Sequence, residues 1–117
     1  MHITQHNNGT LEINIPTEKG EKTITTTQND YNKIAKSLAQ SLDNELEMNT
    51  SIGWHYSPQI TSEPLDNGDE IITYRIVDDQ KEETTYSIEP LNDDKETQWD
   101  LHLSEETTHE FISHATN

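Results

Sequence analysis

Glu106 and His109 stand in a Glu-x-x-His arrangement, the spacing that sets a carboxylate and an imidazole on one helical face. Sites that hold two metal ions need two such motifs and two further Glu from other helices, and this chain has one copy. His109 and His114 each follow a glutamate, Glu105 and Glu110, by four residues, which surface ion pairing accounts for. His-Glu-x-x-His is absent, and with no cysteine the chain offers no thiol nucleophile, disulfide, zinc finger or iron–sulfur site. Gly9, Gly20, Gly53 and Gly68 are isolated, so there is neither a phosphate loop nor a dinucleotide fingerprint, and no Gly-x-Ser-x-Gly elbow marks a serine nucleophile. Asp66-Asn67-Gly68-Asp69-Glu70 lacks the spacing and terminal bidentate Glu of a calcium loop. Carboxylates are abundant, but acid–base catalysis needs one in an apolar setting that raises its pKa, and these lie in polar runs. The expectation is a protein that is not an enzyme and has no metal and no cofactor.

What the acids do offer is charge. The 117 residues hold 23 Asp and Glu against 7 Lys and Arg, a formal net charge of −16. Residues 1–58 carry seven acids and four lysines, a net of −3, whereas residues 59–117 carry sixteen acids against Arg75, Lys81 and Lys95, a net of −13. The second-half acids fall in turns and on the expected solvent face: Asp78, Asp79, Glu82, Glu83, Glu89, Asp93, Asp94, Glu96 and Asp100, continued by Glu105, Glu106 and Glu110 on a last helix. Same-face residues on a strand are roughly 6.6 Å apart, so these twelve side chains are the candidate partner-binding set, an anionic ridge. A small domain stays soluble with a net charge of about 2–8 in magnitude. The excess beyond that suits a basic groove on another protein, entered with fast association and steep salt dependence.

In size, absence of cysteine and the charge pattern of residues 66–110 the chain is similar to phage-encoded DNA mimics, among them anti-restriction proteins, uracil-DNA glycosylase inhibitors and several anti-CRISPR proteins. Those proteins share no common fold, so the resemblance carries over no functional residue. It implies a non-enzymatic acidic inhibitor that binds the basic surface of a nucleic-acid-handling protein in a phage–host defence setting. A polyanion repels phosphate backbones and anionic lipid, so no direct nucleic-acid or membrane contact is expected. Two other readings fit the same charge: an interaction module such as a toxin-immunity protein without mimicry, and a salt-adapted acidic domain. No apolar run approaches a membrane span and the start lacks a signal peptide's basic and greasy regions, so a cytoplasmic monomer or small homo-oligomer is expected.

The elements that must position these acids are legible from periodicity. A short run around Ile3 ends at the turn dipeptide Asn8-Gly9; Leu11, Ile13 and Ile15 alternate with Glu12 and Asn14; Lys22 to Thr27 reads as a Thr-rich edge strand, open to pairing about a two-fold axis. Tyr31, Ile34, Leu38, Leu42 and Leu46 form one stripe of a helix at about 29–48, started by Thr27 with Asp30, or by Asn29. Strands follow at Ile52-Trp54-Tyr56, Ile72-Tyr74-Ile76, Tyr86-Ile88 and Trp99-Leu101-Leu103, with Thr73, Arg75, Thr85, Ser87, Glu89, Gln98, Asp100 and His102 on solvated faces. The aromatics read as core, Trp54 alternatively as an exposed anchor. Ser104 caps a short C-terminal helix at about 104–115, whose inner stripe is Thr108, Phe111, Ile112 and Ala115. The result is one α+β domain over residues 1–117, both helices on one face of an antiparallel sheet.

Leu, Ile, Val and Phe total 22 residues, a fraction at which disorder becomes a competitor, but clean alternation and 16 Thr argue for a fold with a small core. Repulsion among the excess carboxylates then subtracts from a narrow stability margin. Raising NaCl from about 0.05 to 0.5 M should raise Tm by about 5 °C as the Debye length shrinks; a calorimetric scan showing no rise would deny that repulsion limits stability.

Overall fold

The computed structural model describes residues 1–44, 48–49 and 53–115. The fold is α+β, with two antiparallel sheets where a single one was expected. β1 (His2–Gln5), β2 (Thr10–Thr17) and β3 (Gly20–Thr27) form a meander in the order β1-β2-β3. Its hairpins turn where glycine supplies a left-handed backbone, Gly9 at φ 85° and Gly20 at φ 103°. Ile3 faces Ile13, and Ile13 faces Ile24, so the alternation of the sequence becomes one apolar face.

The helix α1 spans Gln28–Asp43, and Thr27 caps it by accepting the amide of Asp30 at 3.2 Å. It is shorter than the expected 29–48: Asn44 leaves the helix with an extended backbone (ψ 109°), and Leu46 lies outside the described residues. β4 (Met48–Asn49), β5 (Trp54–Tyr56), β6 (Ile60–Thr61), β7 (Ile71–Asp78), β8 (Glu83–Pro90) and β9 (Leu101–Ser104) build the second sheet in the order β4-β5-β7-β8-β9, β6 pairing beside β5 on β7. The strand expected from Ile52 is described from Trp54 onward, Ile52 lying outside the described residues. α2 (Glu105–Ser113) is narrower than 104–115, with Ser104 accepting the amide of Thr107 at 3.2 Å as its cap.

On β7 the expected faces are reversed. Register pairs Thr73 with Ile88 and Arg75 with Tyr86, so Ile71, Thr73 and Arg75 point toward the helices while Ile72, Tyr74 and Ile76 occupy the far face. Polar residues are accepted inside because α1 supplies partners. The Thr73 hydroxyl meets the Ser41 hydroxyl at 3.0 Å, and Arg75 donates to the carbonyls of Ser41 and Leu42 at 3.3 and 3.4 Å. α1 has no basic residue in its own last turn, and Arg75 provides that cation from the sheet.

Between the layers Tyr31 stacks on Phe111 (centroids 4.2 Å apart), and Trp99 meets Phe111 edge-on at 6.1 Å. Trp99 is fully buried as expected but precedes β9 rather than belonging to it. The Tyr31 hydroxyl donates to the Phe111 carbonyl at 2.6 Å, tying α1 to the last turns of α2. Tyr31→Phe keeps the stack and removes this bond, leaving the Phe111 carbonyl the longer 3.3 Å bond from the His114 amide, so it should cost about 1 kcal/mol in urea unfolding. A change within error would show that the His114 amide alone satisfies the carbonyl.

Candidate acidic interface

The twelve candidate acids occupy the two ends of the β7–β8 hairpin and the outside of α2 rather than one ridge. At the turn end, Asp78 pairs with Glu83 across the hairpin. Asp78 is buried and accepts the amides of Gln80 and Lys81 at 3.0 and 3.3 Å, so its carboxylate builds the turn and is not presented to a partner. Asp79 is exposed and contacts His55. Glu82 is exposed and holds φ 51°, a left-handed conformation costing a non-glycine residue roughly 1–2 kcal/mol. Ser104 pairs with Thr85, which brings exposed Glu105 and Glu106 to this same end of the sheet.

At the other end, Asp93, Asp94, Glu96 and Asp100 are exposed in the loop joining β8 to β9. Asn92 shapes that loop, its side-chain oxygen accepting the Asp94 amide at 3.0 Å. An eight-residue strand separates the two ends, which is roughly 23 Å at strand rise. Glu110 stands apart from both, its carboxylate 3.2 Å from the ammonium of Met1.

The structure adds two acids to the loop end. Ile71 pairs with Pro90, and one step further the Leu91 amide donates to the Glu70 carbonyl at 2.9 Å. Asp69 accepts the Thr97 hydroxyl at 3.2 Å. Counting register outward from the Asp78–Glu83 turn brings 70 beside 91 and 69 beside 92, so the signal was present in the sequence once the turn was placed. Glu89, Asp93, Glu96 and Asp100 line a depression of about 530 Å³ together with Lys22 and Lys95.

Two large apolar side chains are exposed among the described residues, Trp54 at 41 % and Leu91 at 44 %. Trp54 pairs with Asp78 and so sits at the turn end, while Leu91 opens the acidic loop. Each acidic end thus carries one exposed apolar side chain. Internal neutralisation is slight: of the six lysines, Lys33 alone stands within ion-pair distance of a carboxylate among the described residues, 3.7 Å from Asp66.

The far face of the second sheet is hydrogen-bonded rather than acidic. Glu89 accepts the Tyr74 hydroxyl at 2.8 Å and the Ser87 hydroxyl at 2.9 Å through one oxygen, and His102 lies 3.8 Å from that oxygen. Ser87, expected on a solvated face, is fully buried in this cluster. Burial, then the Glu89 hydrogen bond and charge, push the Tyr74 phenol up to about 12. Burial and the Glu110 charge hold the Tyr31 phenol well above its usual range. Burial and then Glu105 raise that of Tyr86, with Arg75 opposing. On α2, His109 lies 3.8 Å from Glu105, as surface pairing anticipated. Among the described residues no three His, Asp or Glu side chains gather as metal ligands, and no helix is long and apolar enough to cross a membrane.

Comparison of the chain with protein-family models, with curated proteins and with solved structures yields no match.

The Tyr74 phenol has its ordinary value of 10.0 when unfolded and about 12 when folded, so its contribution to stability is complete below pH 10 and is lost as pH rises through 12. Glu89→Gln should bring its midpoint down toward 10 without reaching it, because burial remains. NMR titration of the Tyr74 ring carbon reads this directly, and an unchanged midpoint would remove Glu89 as a cause.

Proposed function

We propose that this protein is a non-enzymatic acidic inhibitor that occupies the basic, nucleic-acid-binding surface of a partner protein, the role that the likeness to phage DNA mimics implies. One observation carries the reading: Glu82 and Glu83 at one end and Asp93, Asp94 and Glu96 at the other are exposed with no lysine within ion-pair distance among the described residues, and the exposed Trp54 and Leu91 lie at those same two ends. Charge kept for solubility has no need of an exposed tryptophan in its midst. An interface has such a need, since hot spots favour large aromatic anchors and carboxylates supply steering and register. The partner is thus a protein with lysine and arginine around shallow apolar pockets.

The two acidic ends divide the work. Asp93, Asp94 and Glu96 are exposed on one loop and suit a basic groove as a group, whereas Trp54, paired in register with Asp78, gives the opposite end an apolar contact. Binding through carboxylates loses affinity steeply as salt rises, and the apolar contact of Trp54 does not.

Tagged protein immobilised at about 0.1 M salt, exposed to nuclease-treated host lysate and eluted by a salt gradient should retain a nucleic-acid-handling protein. That protein, purified, should lose its nucleic acid when the inhibitor is added. Asp93→Asn with Asp94→Asn and Glu96→Gln should weaken binding at least tenfold at 0.1 M salt and flatten its salt dependence, while Trp54→Ala should weaken it equally at all salt concentrations. A retained protein that binds its nucleic acid undisturbed would overturn the mimic role, and an enzyme inhibited without nucleic-acid displacement would point to an immunity-type role.

A further inference from the structure

The edges of the first sheet are treated differently. On β3 the outward backbone groups of Thr25 are occupied, the Gln98 side chain donating to its carbonyl at 2.6 Å and accepting from its amide at 3.4 Å. Lys22, on the same strand, reaches the Asp100 carbonyl at 3.3 Å. The edge that looked available for pairing from sequence is thereby closed along part of its length. β1 has no such cover. The His6 amide bonds to the Thr10 carbonyl, which fixes the alternation: Thr4 and Glu12 exchange bonds inside the sheet, and the amides and carbonyls of Ile3 and Gln5 point outward. Among the described residues nothing bonds to those four groups.

This edge also lies in a lightly charged part of the chain. Residues 1–27 carry Glu12, Glu18 and Glu21 against Lys19 and Lys22, a net of −1 out of −16 for the whole. Any partner with a basic surface is steered to the other sheet. A second copy of the chain, repelled by the acidic ends of the other sheet, meets little repulsion here.

We infer that β1 is a self-association edge, pairing antiparallel with β1 of a second copy about a two-fold axis through Thr4. The register is self-complementary. Centring on Thr4 places Ile3 opposite Gln5 of the other copy and Gln5 opposite Ile3, so all four outward groups on each strand pair, giving four new backbone hydrogen bonds around a Thr4–Thr4 contact. Thr–Thr is a favourable cross-strand pair. The two meanders become one six-stranded sheet, and a groove of about 410 Å³ beside the edge, lined by Met1, Ile3, Leu11 and Tyr31 among others, lies against the added strand. The interface is isologous, so it closes at the dimer and leaves the acidic ends of both copies outward.

Dimerisation by this route strengthens with salt, the opposite of binding to a basic partner, so the two are separable in one set of buffers. Sedimentation of the full chain at about 0.5 M NaCl should show a mass rising from 13.5 kDa toward twice that with concentration. Gln5→Pro removes an outward amide without touching the β1–β2 ladder and should leave monomer throughout, while Thr23→Pro on the β3 edge should leave dimerisation unchanged.

The chain has no cysteine of its own, so disulfide capture gives a second reading. A non-hydrogen-bonded antiparallel pair sets its Cα atoms about 4.5 Å apart, within disulfide range. Thr4→Cys should therefore oxidise to a covalent dimer at least tenfold faster than Thr23→Cys. A monomer at every concentration, equal oxidation rates for the two cysteine variants, or loss of the dimer in Thr23→Pro but not Gln5→Pro would overturn the assignment.

Discussion

Mutual repulsion of carboxylates is the constraint under which this fold operates. The described core is small, centred on Tyr31, Phe111 and Trp99 with Ile13, Ile24, Ile34, Leu38, Ile88 and Leu103 around them. A core of that size leaves little margin to hold a net charge of −16. Topology relieves the load by distance. The hairpin of β7 and β8 sends one group of acids to its turn and another to the loop beyond Pro90, with Glu110 elsewhere on α2. Repulsion between groups a strand's length apart is largely screened at physiological salt, whereas a continuous ridge along the sheet face would concentrate it.

The same economy explains the polar interior. Thr73, Ser41 and Ser87 are fully buried, and no described buried side-chain polar atom lacks a partner. Each does a job that an aliphatic side chain would not. Thr73 and Ser41 lock α1 onto β7, and Arg75 completes the helix's C-terminal end. Ser87 and Tyr74 hold the Glu89 carboxylate on the sheet. A chain poor in aliphatic residues thus gains specificity of packing from hydrogen bonds, each contributing about 1 kcal/mol.

What could be read from the sequence follows from these facts. The meander, both helix caps and the alternation of β8 and β9 rest on local chemistry, and Thr27, Ser104 and the Leu11-Ile13-Ile15 run announce them directly. β7 misled because its pattern is ambiguous: Ile71 and Ile72 are adjacent, so either face can be the inner one. The decision depends on Ser41 and on the last carbonyls of α1, thirty residues away, which no local period reports. The division into two sheets is equally non-local. For the site, residue types were legible and juxtaposition was not: Asp69 and Glu70 join the loop acids through register, and Asp78 drops out because the turn uses its carboxylate.

Charge density decides how far likeness to a nucleic acid can extend. The molecule is 49 Å along its longest axis, so −16 amounts to one net charge for about every 3 Å. Duplex DNA presents one per roughly 1.7 Å. At about half that density, and with the charge gathered at two ends, the protein does not reproduce the uniform rail of phosphates that releases counterions along a whole groove. On the proposed reading, competing with DNA requires something phosphates lack, and the exposed apolar side chains of Trp54 and Leu91 are the groups that would supply it. Burying one large apolar side chain contributes about 1.5–3 kcal/mol, comparable to several screened charge contacts at about 0.2–1 kcal/mol each, and that contribution persists at salt concentrations where a duplex would dissociate.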